Sequence, residues 1–127
     1  IADILNRVRQ PFNVDTVALA AATAVLEDEA YLQKSREVNE AGLQQLAEGF
    51  DRMGLSYIPS AGNFIAVEVG EPAAGIYQAL LAHGVIVRPV AGYGMPRHLR
   101  VSVGLPQENE RFLDALAEAL ASAGLGA

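Results

Sequence analysis

Two arginines stand at the two ends of a loop that contains prolines and glycines, in the stretch VIVRPVAGYGMPRHLRVSVG at residues 85–104. Arg88 follows the first of two β-branched runs, and Arg100 lies at the start of the second. The guanidinium group is planar and always charged, and its fork of donors matches a carboxylate or a phosphate. Two such cations side by side repel unless an anion lies between them. The pair therefore suggests an anion-binding rim, and arginines that are solvated or paired with a nearby Glu are the alternative interpretation.

The proximity of the two arginines depends on the strands that carry them. The β-branched runs predict strands at Val85–Val87 and Leu99–Val103. If these strands are neighbours, the end of the first lies beside the start of the second, and the two guanidinium groups converge at one rim of the sheet. Gly92 and Gly94 would let the intervening loop fold close to a bound group.

Other residues that could act in catalysis or bind a metal are weaker candidates. His83 lies at a predicted helix end, where capping is a simpler role than catalysis. His98 is predicted in a loop and could act as a base, but no carboxylate or Ser is spaced to orient it. With two histidines at unsuitable spacing and no cysteine, the sequence predicts neither a metal site nor a disulfide.

Composition narrows the class of protein. The 127 residues match one ordinary domain, and 51% of them are hydrophobic, which excludes a disordered chain. A net charge of −6 argues against a nucleic-acid or anionic-membrane surface. No apolar run approaches the ~18 residues that span a bilayer, so no membrane partner and a cytoplasmic location are expected. The chain opens on Ile1, which suggests a piece of a longer protein.

Periodicity and turn residues predict an α+β fold. The expected helices are 1–9, 14–27, 30–53, about 72–83, and one that starts near 106; the expected strands are 55–58, 64–69, 85–87 and 99–103. Asn13 or Asp15 is a plausible N-cap, and Gly54 and Gly84 are expected to end their helices. This order favours a small, mostly antiparallel sheet of three or four strands with helices packed on one face.

Four runs resemble histidinol-phosphate aminotransferases, a family of fold-type I enzymes that use pyridoxal 5′-phosphate. They are VRQPFNVDTVALAAATAVLED (8–28), SAGNFIAVEV (60–69), IYQALLAHGVIVRP (76–89) and GVIVRPVAGYGMPRHLRVSVGLPQENERFLDAL (84–116). The likeness runs in the same order over essentially the whole chain. It implies a C-terminal small domain at residues 29–127, preceded by an interdomain helical segment at 1–28, with the large cofactor-binding domain absent.

The resemblance also implies which functions this chain lacks. In the family, the large domain holds pyridoxal phosphate and the Schiff-base lysine, and the small domain closes over the substrate. Lys34 is the only lysine here, and its surroundings do not resemble the Ser-Lys cofactor motif. No catalytic, cofactor-binding or metal-binding residue is therefore expected in this chain, and alone it should not transaminate.

Three substrate-binding residues follow from the resemblance. Arg100 in LRVSVG matches the arginine for the substrate's anionic end, which is the α-carboxylate of an amino acid or the phosphate of histidinol phosphate. Arg88 in IVRP matches a second arginine on the phosphate side. Phe12 in PFNV matches an aromatic residue, often Tyr, that reaches the neighbouring subunit's active site in the full-length homodimer. Asn13 and Asn63 lie in matching motifs but are first a helix cap and a turn residue.

Two alternatives remain open at this point. Threonine-phosphate decarboxylases and aromatic aminotransferases have similar small domains, and paired arginines suit any phosphorylated or dicarboxylic substrate. The second alternative is a free-standing α+β binding module without catalysis. The small-domain interpretation differs from it by predicting an exposed apolar face on the Ala-rich helix, at Val17, Leu19, Ala20 and Ala24. The expected small-molecule partners are histidinol phosphate and glutamate or 2-oxoglutarate.

Overall fold

Five α-helices and four short strands form the described part of this computed structural model, which is residues 1–9, 12–71 and 73–124. The helices are α1 (Ala2–Val8), α2 (Thr16–Val25), α3 (Glu29–Arg52), α4 (Ala73–Ala82) and α5 (Pro106–Ser122). The strands are β1 (Tyr57–Ile58), β2 (Phe64–Glu68), β3 (Arg88–Pro89) and β4 (His98–Ser102). The chain divides into two units, Ile1–Ser35 and Arg36–Ala127, with the boundary inside α3. Among the described helices, none has both the length and the apolar character needed to cross a membrane.

The first unit holds α1, α2 and the beginning of α3. Asp15 is the N-cap of α2, because its Oδ1 accepts a hydrogen bond of 2.8 Å from the Ala18 amide. None of the described residues of α2 is buried, and Val17 is 79% exposed. The exposed apolar face that the small-domain interpretation predicts is therefore present.

The second unit contains a four-stranded antiparallel sheet in the order β1-β2-β4-β3. Along β2 and β4, buried and less buried residues alternate, as expected when one face of a sheet is covered. The buried face packs against α3, α4 and α5, and its core includes Leu46, Phe50, Ile65, Val67, Ile76, Leu80, Leu99, Val101, Phe112 and Leu116. The predicted α+β fold with helices on one face of a mostly antiparallel sheet is confirmed.

One predicted strand is wrong in position. Val85–Val87 is unpaired, and the strand lies at Arg88–Pro89 instead. The reason is the end of α4: Gly84 has φ +72°, its amide donates to the Leu81 carbonyl at 3.0 Å, and the Val85 amide donates to Leu80 at 2.9 Å. These two bonds form a Schellman motif that satisfies helix carbonyls. The motif holds residue 85 at the helix end, so pairing with β4 begins only at Arg88.

Two glycines let α3 approach its neighbours closely. A methyl group built at Gly49 would lie 2.5 Å from Cδ2 of Leu113 on α5. One built at Gly42 would overlap Cγ1 of Val103 and lie 3.0 Å from Nδ2 of the buried Asn109. That amide nitrogen donates to the Gln45 side chain at 3.1 Å, which ties α5 to α3. The glycines are therefore required by packing rather than by backbone conformation.

We expect Gly42→Ala to destabilise the protein although alanine is the better helix former. Helix propensity alone would stabilise by about 1 kcal/mol. Overpacking against the stiff Val103 side chain should cost about 1–3 kcal/mol and should outweigh that gain. Urea denaturation of the 127-residue protein would measure the free energy of unfolding. Gly92→Ala is the matched control, because a methyl group there would have no atom within 4 Å. A Gly42→Ala protein as stable as the original would contradict the packing argument.

Candidate functional site

Arg88 and Arg100 occupy directly opposed positions on β3 and β4. Directly opposed residues of an antiparallel pair project from the same face of the sheet. Leu99 and Val101 face the helices, so Arg100 and its partner belong to the opposite, open face. Arg88 is exposed and Arg100 is half-buried. The register therefore places the two arginines at adjacent positions of neighbouring strands, although the first strand begins later than expected.

Neither guanidinium group is neutralised by the described part of the chain. The ion pairs found there join Arg97 to Glu68, with 2.9 Å between Nε and Oε1, and His83 to Glu118. Among the described residues, no carboxylate lies within 4.0 Å of Arg88 or Arg100. The Nε atom of Arg100 is buried and has no hydrogen-bond partner. Like charges directly opposed across a sheet are destabilising, so a bound anion would relieve the repulsion.

An aromatic ring lies against the Arg100 side chain. The guanidinium carbon Cζ is 4.9 Å from the ring centroid of Phe64 on β2, within the range of a cation–π contact. Phe64 is paired with Ser102, so it is a diagonal neighbour of Arg100, and the residue directly opposite Arg100 is Ala66. This contact was not predicted from the sequence. The alternation of FIAVE could have placed Phe64 on the open face, but the register between β2 and β4 was needed to put it beside Arg100.

The two histidines do not join this cationic pair in a catalytic arrangement. His98 begins strand β4 rather than lying in a loop, which corrects its predicted position; it is paired with Glu68 in the β2–β4 register. Its Nδ1 is buried without a hydrogen-bond partner. The Glu68 carboxylate is paired with Arg97. His83 follows the end of α4, and its Nδ1 lies 3.5 Å from Oε2 of Glu118 on α5.

The loop between β3 and β4 is short and partly ordered by its own backbone. Val90 is buried and anchors its start, and a 3₁₀ turn follows at Ala91–Tyr93. Gly94 ends that turn with φ +79°, a conformation that favours glycine. Tyr93 is 70% exposed. The loop therefore needs Gly94 for its geometry, whereas Gly92 has no such constraint.

Comparison with known proteins decides the family. The family model described as "Aminotransferase class I and II" matches residues 1–116. The chain belongs to this family. Histidinol-phosphate aminotransferase 2 of Pseudomonas fluorescens (strain Pf0-1) is 64% identical over 121 residues, which are 95% of this chain and 33% of that protein. Histidinol-phosphate aminotransferase 2 of Pseudomonas aeruginosa gives the same identity and the same coverage.

Solved structures support the same assignment. Histidinol-phosphate aminotransferase from Sinorhizobium meliloti, crystallised in complex with pyridoxal-5′-phosphate, superposes with a TM-score of 0.79 at 30% identity. The match covers 96% of this chain and 34% of that one. The chain thus spans about a third of the length of the aminotransferases it matches.

Lys34 does not have the surroundings of a Schiff-base lysine. A Schiff-base lysine must be activated, for example by desolvation in an apolar pocket. Lys34, the only lysine of the sequence, is exposed on α3. The residues of this chain therefore do not fit the role of holding the cofactor's aldehyde.

The third predicted substrate-binding residue, Phe12, lies in the first unit. Its side chain is 95% exposed, and its φ is +59°. It is the one non-glycine residue with positive φ among residues 1–9, 12–71 and 73–124. Such a conformation is strained for a bulky residue and is found most often at functional positions. Asn63 lies in the bend before β2, as expected, and its carbonyl accepts from the Val103 amide at 2.9 Å, which extends the β2–β4 pairing.

Proposed function

We propose that this chain is the small, substrate-closing domain of a pyridoxal-phosphate-dependent histidinol-phosphate:2-oxoglutarate aminotransferase. Residues 29–127 form the small domain, and residues 1–28 form the segment that joins it to the large domain. Identities of 64–66% to histidinol-phosphate aminotransferases over at least 95% of the chain support this substrate. The Schiff-base lysine belongs to the remaining part of the enzyme, so the 127-residue chain alone is inactive.

The observation that carries the proposal is the opposed, unneutralised pair Arg88 and Arg100. The two substrates of this reaction are both anionic: glutamate has two carboxylates, and histidinol phosphate has a phosphate. One cationic site must accept each in turn. Arg100 binds the anionic end next to the reacting carbon, and Arg88 binds on the phosphate side. Closure of the domain would then orient the substrate and exclude water.

Phe12 contributes in the homodimer that we propose for the full-length, cytoplasmic enzyme. Its exposed ring and strained backbone support a role beyond this unit, in the active site of the neighbouring subunit. Because phenylalanine lacks a hydroxyl group, its contribution there is an apolar contact rather than a hydrogen bond to phosphate.

A substrate panel on the full-length enzyme tests the proposed reaction. Purified enzyme with pyridoxal phosphate is offered histidinol phosphate, threonine phosphate and an aromatic amino acid, each with 2-oxoglutarate as amino acceptor. We expect transamination with kcat/KM highest for histidinol phosphate. Decarboxylation of threonine phosphate, or a preference for the aromatic amino acid, would assign the chain to one of the other two activities. No reaction with any of them would favour a non-catalytic module.

Arg88→Ala in the same enzyme should change KM more for histidinol phosphate than for glutamate. If Arg88 serves the phosphate side, its loss removes a charge-assisted contact worth about 2 kcal/mol and raises KM for histidinol phosphate about 30-fold. The KM for glutamate in the reverse reaction should change by no more than about threefold. This limit corresponds to ~0.6 kcal/mol, the size of an interaction between exposed charges. Arg52→Ala removes an exposed arginine at the end of α3 and is the control for net charge. Equal losses for both substrates would contradict the phosphate role.

A further inference from the structure

The Arg100 side chain contacts an aromatic ring, and no carboxylate of the described residues neutralises its charge. Its guanidinium group rests on the Phe64 ring at 4.9 Å, and no hydrogen bond or ion pair to the described residues occupies its Nε. Ala66, directly opposite on β2, is small and leaves room for the side chain to extend toward the ring. If a carboxylate held the arginine, it would neutralise the guanidinium charge and occupy N–H donors that the substrate needs. An aromatic face orients the cation and leaves the in-plane N–H groups free.

Phe64 is itself held by the turn that precedes β2. A methyl group at Gly62 would be 3.6 Å from the ring's Cε1, so the turn backbone lies close to the ring. The Gly62 amide donates to Oγ of Ser60 at 3.1 Å, and the Gly62 carbonyl accepts from Nδ2 of Asn39 on α3 at 3.1 Å. The turn is therefore fastened to a long helix. The Phe64 ring, which is 38% exposed, therefore lies beside a turn that is tied to the rest of the second unit.

We infer that Phe64 is a positioning residue for substrate binding, one that orients the Arg100 guanidinium and shields one of its faces from water. This inference rests on the proposed function. It extends that function by naming a residue that need not touch the substrate and acts through Arg100. Loss of the ring should weaken binding of every anion that Arg100 holds, while the chemical step, which depends on the rest of the enzyme, should change little.

The experiment compares Phe64→Leu and Phe64→Tyr in the full-length enzyme. Phe64→Leu keeps an apolar side chain but removes the π face, so KM for glutamate and for histidinol phosphate should each rise about threefold to about 30-fold, with kcat within about twofold. Phe64→Tyr retains the face and should stay within about twofold of wild type in both KM values. Leu105→Ala, which removes an exposed apolar side chain at the beginning of α5, is the control and should leave both KM values unchanged.

A double-mutant cycle separates positioning from a general structural effect. Once Arg100 is alanine, adding Phe64→Leu should raise KM no further, because the ring acts through Arg100. Additive effects in that cycle, or unchanged KM values in Phe64→Leu, would overturn the inference. Wild-type enzyme that does not use histidinol phosphate and glutamate would instead refute the proposed function. Unchanged cofactor absorbance in each variant identifies the proteins that are folded and can be compared.

Discussion

Arg100→Ala in the full-length aminotransferase is expected to raise KM for both glutamate and histidinol phosphate by between about 30-fold and about 5,000-fold. This range corresponds to the ~2–5 kcal/mol lost when one partner of a buried charge pair is truncated. Arg100 is half-buried on the open face, and no carboxylate of the described residues lies within 4.0 Å of it, so no ion pair within this part of the chain substitutes for the substrate's anion. Steady-state kinetics with each substrate would measure the effect, together with the absorbance of the bound cofactor.

Two features of the Arg100 result would identify its role. The cofactor absorbance should stay as in wild type, because the cofactor is assigned to the part of the enzyme outside this chain. Arg97→Ala is the matched control: that guanidinium is already paired with Glu68, so its removal should leave substrate KM near the wild-type value. Near-normal kinetics in Arg100→Ala, or a loss as large in Arg97→Ala, would contradict the assignment.

Phe50→Ala is expected to lower the free energy of unfolding of the 127-residue protein by about 3–5 kcal/mol. Phe50 lies at the centre of the core with no exposed surface, and its ring centroid is 5.7 Å from that of Tyr57 and 6.2 Å from that of Phe112. Truncation removes these ring contacts and leaves a cavity between α3, the sheet and α5. Urea denaturation, with the midpoint and slope fitted separately, would measure the loss.

The same substitution at Phe12 controls for the loss of an aromatic side chain. Phe12 is 95% exposed, so Phe12→Ala should change the free energy of unfolding by no more than about 0.5 kcal/mol. A comparable loss at both positions would mean that the core does not depend on Phe50. A loss at Phe50 accompanied by a changed denaturation slope would indicate an altered denatured or native state instead.

The pair Arg88 and Arg100 lacks the favourable pairing of groups that stabilises the rest of the second unit. Its core satisfies the sheet alternation, and α3 and α4 end in Schellman motifs, yet two arginines are placed opposite each other and one keeps an unmet donor. The whole chain is acidic, with a net charge of −6, so this local positive pair stands against the overall charge. Such local conflicts are expected where function requires them.

Most of the fold was predictable because its signals are local. The glycines that end α3 and α4, the helical spacing of α5 and the alternation in β2 are determined by neighbouring residues, and the structure has each of them. The strand predicted at Val85–Val87 was wrong because strand propensity does not show that the Val85 amide is already hydrogen-bonded to the end of α4. His98 was misplaced for a similar reason, since its strand is defined by pairing with β2.

The amino-acid sequence by itself determined the helix ends, the alternating strands, the acidic character and the presence of two arginines at the base of one loop. Only the tertiary structure decided that Arg88 and Arg100 are directly opposed, that no carboxylate of the described residues neutralises them, and that Phe64 supports Arg100. The reason is physical. Helix caps and alternation depend on residues a few positions apart, whereas register pairs residues much farther apart along the chain, such as Arg88 with Arg100 and Phe64 with Ser102. A shift of one residue would turn each of these side chains to the other face.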